Sequence, residues 1–119
     1  MKRSFILVVT MSLFLSAQAS FACNYPQRVD IPNGAIATQD EMIGGQSEVK
    51  QYVAAMEAYL ECILEEEKAA RAAIEDLTPE VEQQREDMLT KKYNAAVDEM
   101  EKVAANFNNE VQAYKGRNN

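Results

Sequence analysis

No histidine and no tryptophan occur among the 119 residues, and there are only two cysteines, three prolines and four glycines. Without histidine the chain lacks the commonest general base and the commonest metal ligand. Ser-His-Asp and Cys-His nucleophile arrangements are excluded outright. The four glycines form no phosphate-cradling loop. The two cysteines do not make a Cys-x-x-Cys, so a thioredoxin-like redox site is unsupported. Positive charge is scarce as well. Twelve Lys and Arg stand against nineteen Asp and Glu, a net charge of −7. That balance speaks against nucleic acid, because phosphate binding needs clustered cations. The composition therefore points to one small non-enzymatic domain with no expected cofactor.

Long apolar runs are almost missing too. The exception is Phe5 to Leu15, broken only by Thr10 and Ser12. Lys2 and Arg3 precede it, and Ala17-Gln18-Ala19 follows as a small-x-small cleavage site. This is the pattern of a secretory signal peptide over residues 1–19, with cleavage after Ala22 as the other choice. The run is too short for a membrane span, which needs about 20 residues. No later segment is apolar enough, so no transmembrane segment is expected in the mature chain. The compact leader suggests the periplasm, with the extracellular space as the alternative. Cleavage after Ala22 would leave Cys23 at the N-terminus, as in a lipoprotein, but Ser20 stands where Leu is usual. Losing residues 1–19 removes Lys2 and Arg3 and no acid, so the net charge moves from −7 to −9.

Both cysteines survive cleavage. In an oxidising compartment an even pair reads as one disulfide, Cys23 with Cys62, over lipidation or intermolecular bonding. Residues 20–37 read as an extended arm holding Pro26, Pro32 and Gly34, with Ile31-Pro32-Asn33-Gly34 suited to a β-turn.

The rest, 38–116, reads as helical. Thr38-Gln39-Asp40-Glu41 is a capping box. A seven-residue spacing then runs through Met42, Val49, Met56, Ile63, Ala70 and Leu77, widened by Tyr52, Tyr59, Val53 and Leu60. Gly44-Gly45 weakens the start, and Ser47 is an alternative first residue. Thr78-Pro79 opens a second helix. Its apolar row is Leu89, Tyr93, Ala96, Met100, Val103, Phe107 and Tyr114, alternating by four and three with a break at Glu110. Helices over 39–76 and 79–114 joined by a very short link make an all-α, antiparallel two-helix hairpin, coiled-coil-like, with a non-helical N-terminal arm pinned by a disulfide.

The arm has the reach for this. Cys62 lies about 36 Å along the first helix at 1.5 Å per residue. The 15-residue arm spans roughly 50 Å when extended. Closing that loop contributes on the order of 3–4 kcal/mol in the chain-entropy description. Tyr25, Ile31 and Ile36 of the arm are candidates to cover part of the apolar stripe. The remainder calls for a protein partner or a homodimer.

The candidate contact stripe is Tyr52, Met56, Tyr59, Tyr93, Met100 and Phe107, whose helical spacing also suits a plain core. Glu57, Glu61 and Glu65 form an acidic row beside Glu66 and Glu67, but no calcium-loop spacing occurs, so an acidic metal-binding role is a minor reading. Glu66 and Glu67 interrupt the stripe. Local solvation is the simpler expectation, and a polar gap that fixes register or meets a basic partner residue is the other.

Cys23, Pro26, Ile31-Pro32-Asn33-Gly34, Ala37-Thr38, Glu41-Met42, Tyr52, Tyr59 and Cys62-Ile63 resemble small exported helical proteins of Gram-negative bacteria, over about the first half of the mature chain. That resemblance carries no activity. Leu77-Thr78-Pro79-Glu80-Val81 followed by Gln83-Gln84-Arg85 is similar to the Leu-Thr-x-x-Gln motif of Spy/CpxP-type periplasmic chaperones, with Val81 where that motif has Gln. This second resemblance implies a chaperone-like holdase or stress-response accessory protein, although such proteins carry basic binding surfaces and this chain is acidic.

Overall fold

The computed structural model describes residues 22–117. Two helices make up most of it, α1 (Gln39–Ala72) and α2 (Pro79–Arg117), folded into an antiparallel hairpin with an extended arm before α1. The expected all-α hairpin, with its arm pinned by Cys23–Cys62, is what the chain forms. The signal-peptide reading of residues 1–19 lies outside the described residues.

Local chemistry explains the helix starts. Thr38 Oγ1 accepts from the Glu41 amide at 3.2 Å, and the Glu41 carboxylate accepts from the Thr38 amide at 2.7 Å. The two hydrogen bonds satisfy donors that a helix N-terminus leaves open. Thr78 caps α2 in the same way, its hydroxyl accepting from the Val81 amide.

Two boundaries differ from expectation. First, α1 ends at Ala72 rather than at 76, so residues 73–78 form the link. Its last turn tightens, with the Ala73 amide reaching the Ala70 carbonyl and the Ile74 amide the Arg71 carbonyl. Pro79 also disfavours helical backbone just ahead of it. Leu77 is therefore half-buried in the link and does not extend the α1 row.

Second, α2 continues through Gly116 to Arg117 rather than stopping at 114. Arg117 donates to the Ala37 carbonyl and stacks its guanidinium over Tyr114, which anchors the final turn. The start of α1 at Gln39 is as expected: Gly44-Gly45 does not interrupt the helix, and the alternative start at Ser47 is not taken.

Gly45 is required by packing. A Cβ there would stand 2.6 Å from Pro32 Cγ and 3.3 Å from Phe107 Cε2. Gly34 is tighter still, since a Cβ on it would run into the Glu110 carbonyl. Gly44 faces open space. The chain thus uses glycine at two points where the arm presses on a helix.

The core lies between three layers. Met42, Val49, Tyr52, Met56, Tyr59, Leu60 and Ile63 come from α1, Ala96, Val103 and Phe107 from α2, and Ala37 from the arm. Met56 is completely buried. The arm runs antiparallel to α1 and alongside α2. Cys23 meets Cys62, Tyr25 meets Tyr59, and Pro32 meets Gly45. On α2, Arg28 meets Glu99, Gly34 meets Glu110, and Arg117 reaches Ala37. At about 1.5 Å per helical residue these pairings advance by about 2.8–3.0 Å per arm residue, a little under the roughly 3.1–3.3 Å of fully extended chain. Ile36, expected to help cover the stripe, is 78% exposed, because it sits in the turn that leads into α1.

Two alanine substitutions separate these roles. Gly34→Ala should destabilise the oxidised protein by about 1–3 kcal/mol, by forcing arm and α2 apart. Gly44→Ala should stabilise it by up to about 1 kcal/mol, through helix propensity alone. Urea unfolding of both variants is the check.

Candidate functional site

The six residues of the candidate contact stripe sit inside the hairpin. Tyr52, Met56, Tyr59 and Phe107 are buried, and Tyr93 and Met100 pack half-buried against them. They form the floor and walls of an interhelix groove, which the chain's own arm roofs from Cys23 to Ala37. Burial, followed by the charge of Glu66, raises the Tyr59 phenol above its ordinary value. Burial also raises Tyr52, with Tyr25 and Glu99 adding to it. These phenols are neutral at ordinary pH and act as packing groups.

The arm is held by one covalent bond and several modest contacts. Cys23 and Cys62 are joined at an S–S distance of 2.02 Å, and both residues are half-buried. Tyr25 meets the Tyr59 ring edge to face with centroids 5.0 Å apart, yet Tyr25 remains 52% exposed. Arg28 pairs with Glu99 at 2.6 Å from a largely exposed position. A pair of that kind contributes at most about 1 kcal/mol. Farther on, the Gly34 amide donates to the Glu110 carboxylate at 2.7 Å. Glu110 is the break in the α2 apolar row, and its task is to receive the arm's backbone.

Glu66 Oε2 stands 3.3 Å from Cys23 Sγ. A disulfide sulfur carries no proton, so this is a contact and not a donated hydrogen bond. It places a negative charge beside the bond that an attacking thiolate approaches.

Glu67 does something else. Arg85 of α2 donates to both of its oxygens, at 2.8 and 3.1 Å, and Arg71 adds a third bond at 3.0 Å. Arg71 also reaches Glu86 at 2.7 Å. Local solvation is thus the wrong description of Glu67. The polar gap is filled by a bidentate pair that ties the two helices in register near the link. Burial pushes the Glu67 carboxyl up, but the hydrogen bonds and charges of Arg71 and Arg85 outweigh it and hold the group below its ordinary value. Local patterning could not pair Glu67 with Arg85, because the relative register of the two helices depends on where α1 ends. The stripe position of two consecutive acids was the available signal.

The groove continues past the arm. Beyond Cys23 a hollow of about 130 Å³ is lined by Ile63, Met88 and Leu89, with Glu66, Glu67 and Lys92 at its rim. On the opposite side of the hairpin, Leu64 and Lys68 border a second hollow that shares Glu67 and Leu89 with the first. Two wider shallow hollows, of about 560 and 520 Å³, lie along the arm near Pro32 and near Arg28. Among the described residues no group of three or more His, Cys, Asp or Glu side chains is arranged to hold a metal ion. No helix of the described residues is long and apolar enough to cross a membrane.

Comparison with protein-family models, with curated proteins and with solved structures returns no match, so the similarity to Spy/CpxP-type chaperones gains no support from it.

Two outcomes test this electrostatics. A carboxyl lowered by folding stabilises the fold above its unfolded value and loses that contribution as pH falls through its folded value. Glu67→Gln should therefore cost about 1–3 kcal/mol at pH 7. The deficit against the wild type should shrink as pH drops below 4.5, read from urea midpoints across pH. Separately, Glu66→Gln should speed reduction of the disulfide by dithiothreitol by roughly two- to fivefold, the size of an exposed charge repulsion at about 4 Å. Thiol appearance at pH 8 is the readout.

Proposed function

We propose that this chain is an exported, non-enzymatic helical protein that works by holding another protein on the uncovered part of its hairpin near the link. The observation that carries the reading is the uneven cover of the apolar seam. The arm roofs the groove from Ala37 back to Cys23, and no other described segment roofs it beyond Cys62. There Leu64 is 45% exposed and Met88 72% exposed, on either side of the Glu67–Leu89 contact. An apolar floor with a charged rim is the usual make-up of a binding surface.

Export is supported by the leader pattern of residues 1–19 and by the bonding of both cysteines, which persists in oxidising compartments. The periplasm is the destination that fits a leader this compact. Lipidation of Cys23 does not fit the disulfide, because one sulfur cannot be both a thioether and half of a disulfide. The net charge, −7 for the whole chain and −9 once residues 1–19 are lost, favours a basic or neutral partner over an acidic one.

A photo-crosslinking residue placed at Met88 tests this in intact cells, with the exposed Ile43 at the far end of α1 as the comparison site. Position 88 should capture another protein at least fivefold more efficiently than position 43. Capture of a second copy, with twice the chain mass by light scattering, would make the protein its own partner. Suppression of client aggregation by the purified protein would make it a holdase. Equal capture at both positions contradicts the reading.

A further inference from the structure

We propose that the arm is a strap released by reduction of Cys23–Cys62, and that the groove it uncovers takes an extended, basic, alternately apolar segment of another protein. This deepens the binding reading above and depends on it.

The seated arm shows what the groove accepts. It is extended chain whose Cys23, Val29 and Ile31 pack against the core while Tyr25 reaches the Tyr59 ring. Its one cation, Arg28, lands on Glu99 of α2, and a backbone amide lands on Glu110. Glu110 stays with the clamped part of the arm, so the groove freed by residues 23–31 reads two features of an occupant: alternating apolar residues on its floor, and a positive charge at Glu99 on its wall. Beneath the arm lie Tyr52 and Tyr59, with Met56 on the same face of α1. Their floor is continuous through Ile63 with the open hollow at Met88 and Leu89. Releasing the strap therefore lengthens a surface that is already partly open.

The arm divides at Pro32. From Pro32 onward it is clamped by close contact with Gly45, by the Gly34–Glu110 bond, by the Asn33 turn and by Arg117 on Ala37. Before Pro32 it has the disulfide, the half-buried side chains of Val29 and Ile31, an exposed ion pair and a half-exposed tyrosine. Exposed pairs contribute little and the two aliphatic side chains are only half-buried, so the disulfide is the strongest single tie on residues 23–31. A dithiol reduces the bond in two exchanges. One thiolate attacks a sulfur of the pair and expels the other as a thiolate, which takes up a proton. The second thiol of the dithiol then resolves the mixed disulfide, leaving two protein thiols and an oxidised, cyclic reductant. Glu66 beside Cys23 repels an approaching thiolate, and does so most for a small thiol that carries further negative charge.

The test compares oxidised protein, dithiothreitol-reduced protein and the full-length variant carrying Cys23→Ser with Cys62→Ser. The probe is S-carboxamidomethylated lysozyme, a basic chain that cannot refold. Both freed forms should keep their helical circular dichroism. Trypsin should cleave them after Arg28 at least tenfold faster than the oxidised form, and they should bind the probe at least tenfold more tightly. The oxidised form has the same side-chain charges, so charge alone cannot produce that difference. Equal affinities, an Arg28 site still protected after reduction, or loss of helix on reduction would each overturn the proposal. Crosslinking at Met88 in the oxidised protein reports on the uncovered part near the link independently, so the binding reading and the strap can fail separately.

Discussion

A pair of antiparallel helices has a packing problem that sets the rest of this structure. Each helix carries an apolar stripe wider than its partner can cover, and a third surface must close the seam. Here the third surface is seventeen residues or fewer of extended chain, too short to form its own core. Held by non-covalent contacts alone, it would give up much backbone freedom for a few half-buried side chains. The bond between Cys23 and Cys62 fixes one end of it, and the capping box at Thr38 fixes the other where it becomes α1. Between those two anchors the arm lies in the groove, and the groove has become the protein's core.

The details serve close approach. Gly45 and Gly34 stand where the arm presses against α1 and α2, and neither position has room for a methyl group. Glu110 and Glu99 interrupt an otherwise apolar wall at the points where the arm presents an amide and a guanidinium. Glu67 and Arg85 secure the helices to each other where the arm no longer reaches. Two kinds of glue therefore divide the hairpin. One half is closed by the arm and apolar packing, and the half near the link by a charged cluster that leaves Leu64 and Met88 in water. That division supports placing the binding surface near the link.

Much of the fold was readable before any coordinates. Threonine caps, the heptad spacing and the paired cysteines are local or countable signals, and the hairpin, the helix starts and the pinned arm follow from them. Apart from the Cys23–Cys62 bond, contacts between distant elements were not readable. Gly45 looks like a defect in a helix until Pro32 is known to rest on it. Glu110 looks like a break in a heptad until Gly34 is known to need an acceptor. Glu67 needs the register of α2 before Arg85 can be assigned to it. The stripe Tyr52, Met56, Tyr59, Tyr93, Met100 and Phe107 was legible as apolar and helical. Its cover by the arm depends on the close contacts at Pro32 and Gly34, which spacing does not encode.

The account stands on the arm lying in the interhelix groove. Nuclear Overhauser contacts in the oxidised protein measure that directly. The Tyr25 ring should show cross-peaks to the Tyr59 ring, and the Pro32 ring protons should show cross-peaks to the Gly45 α-protons and the Phe107 ring. Sharp, random-coil resonances for residues 24–32, with none of those cross-peaks, would contradict it.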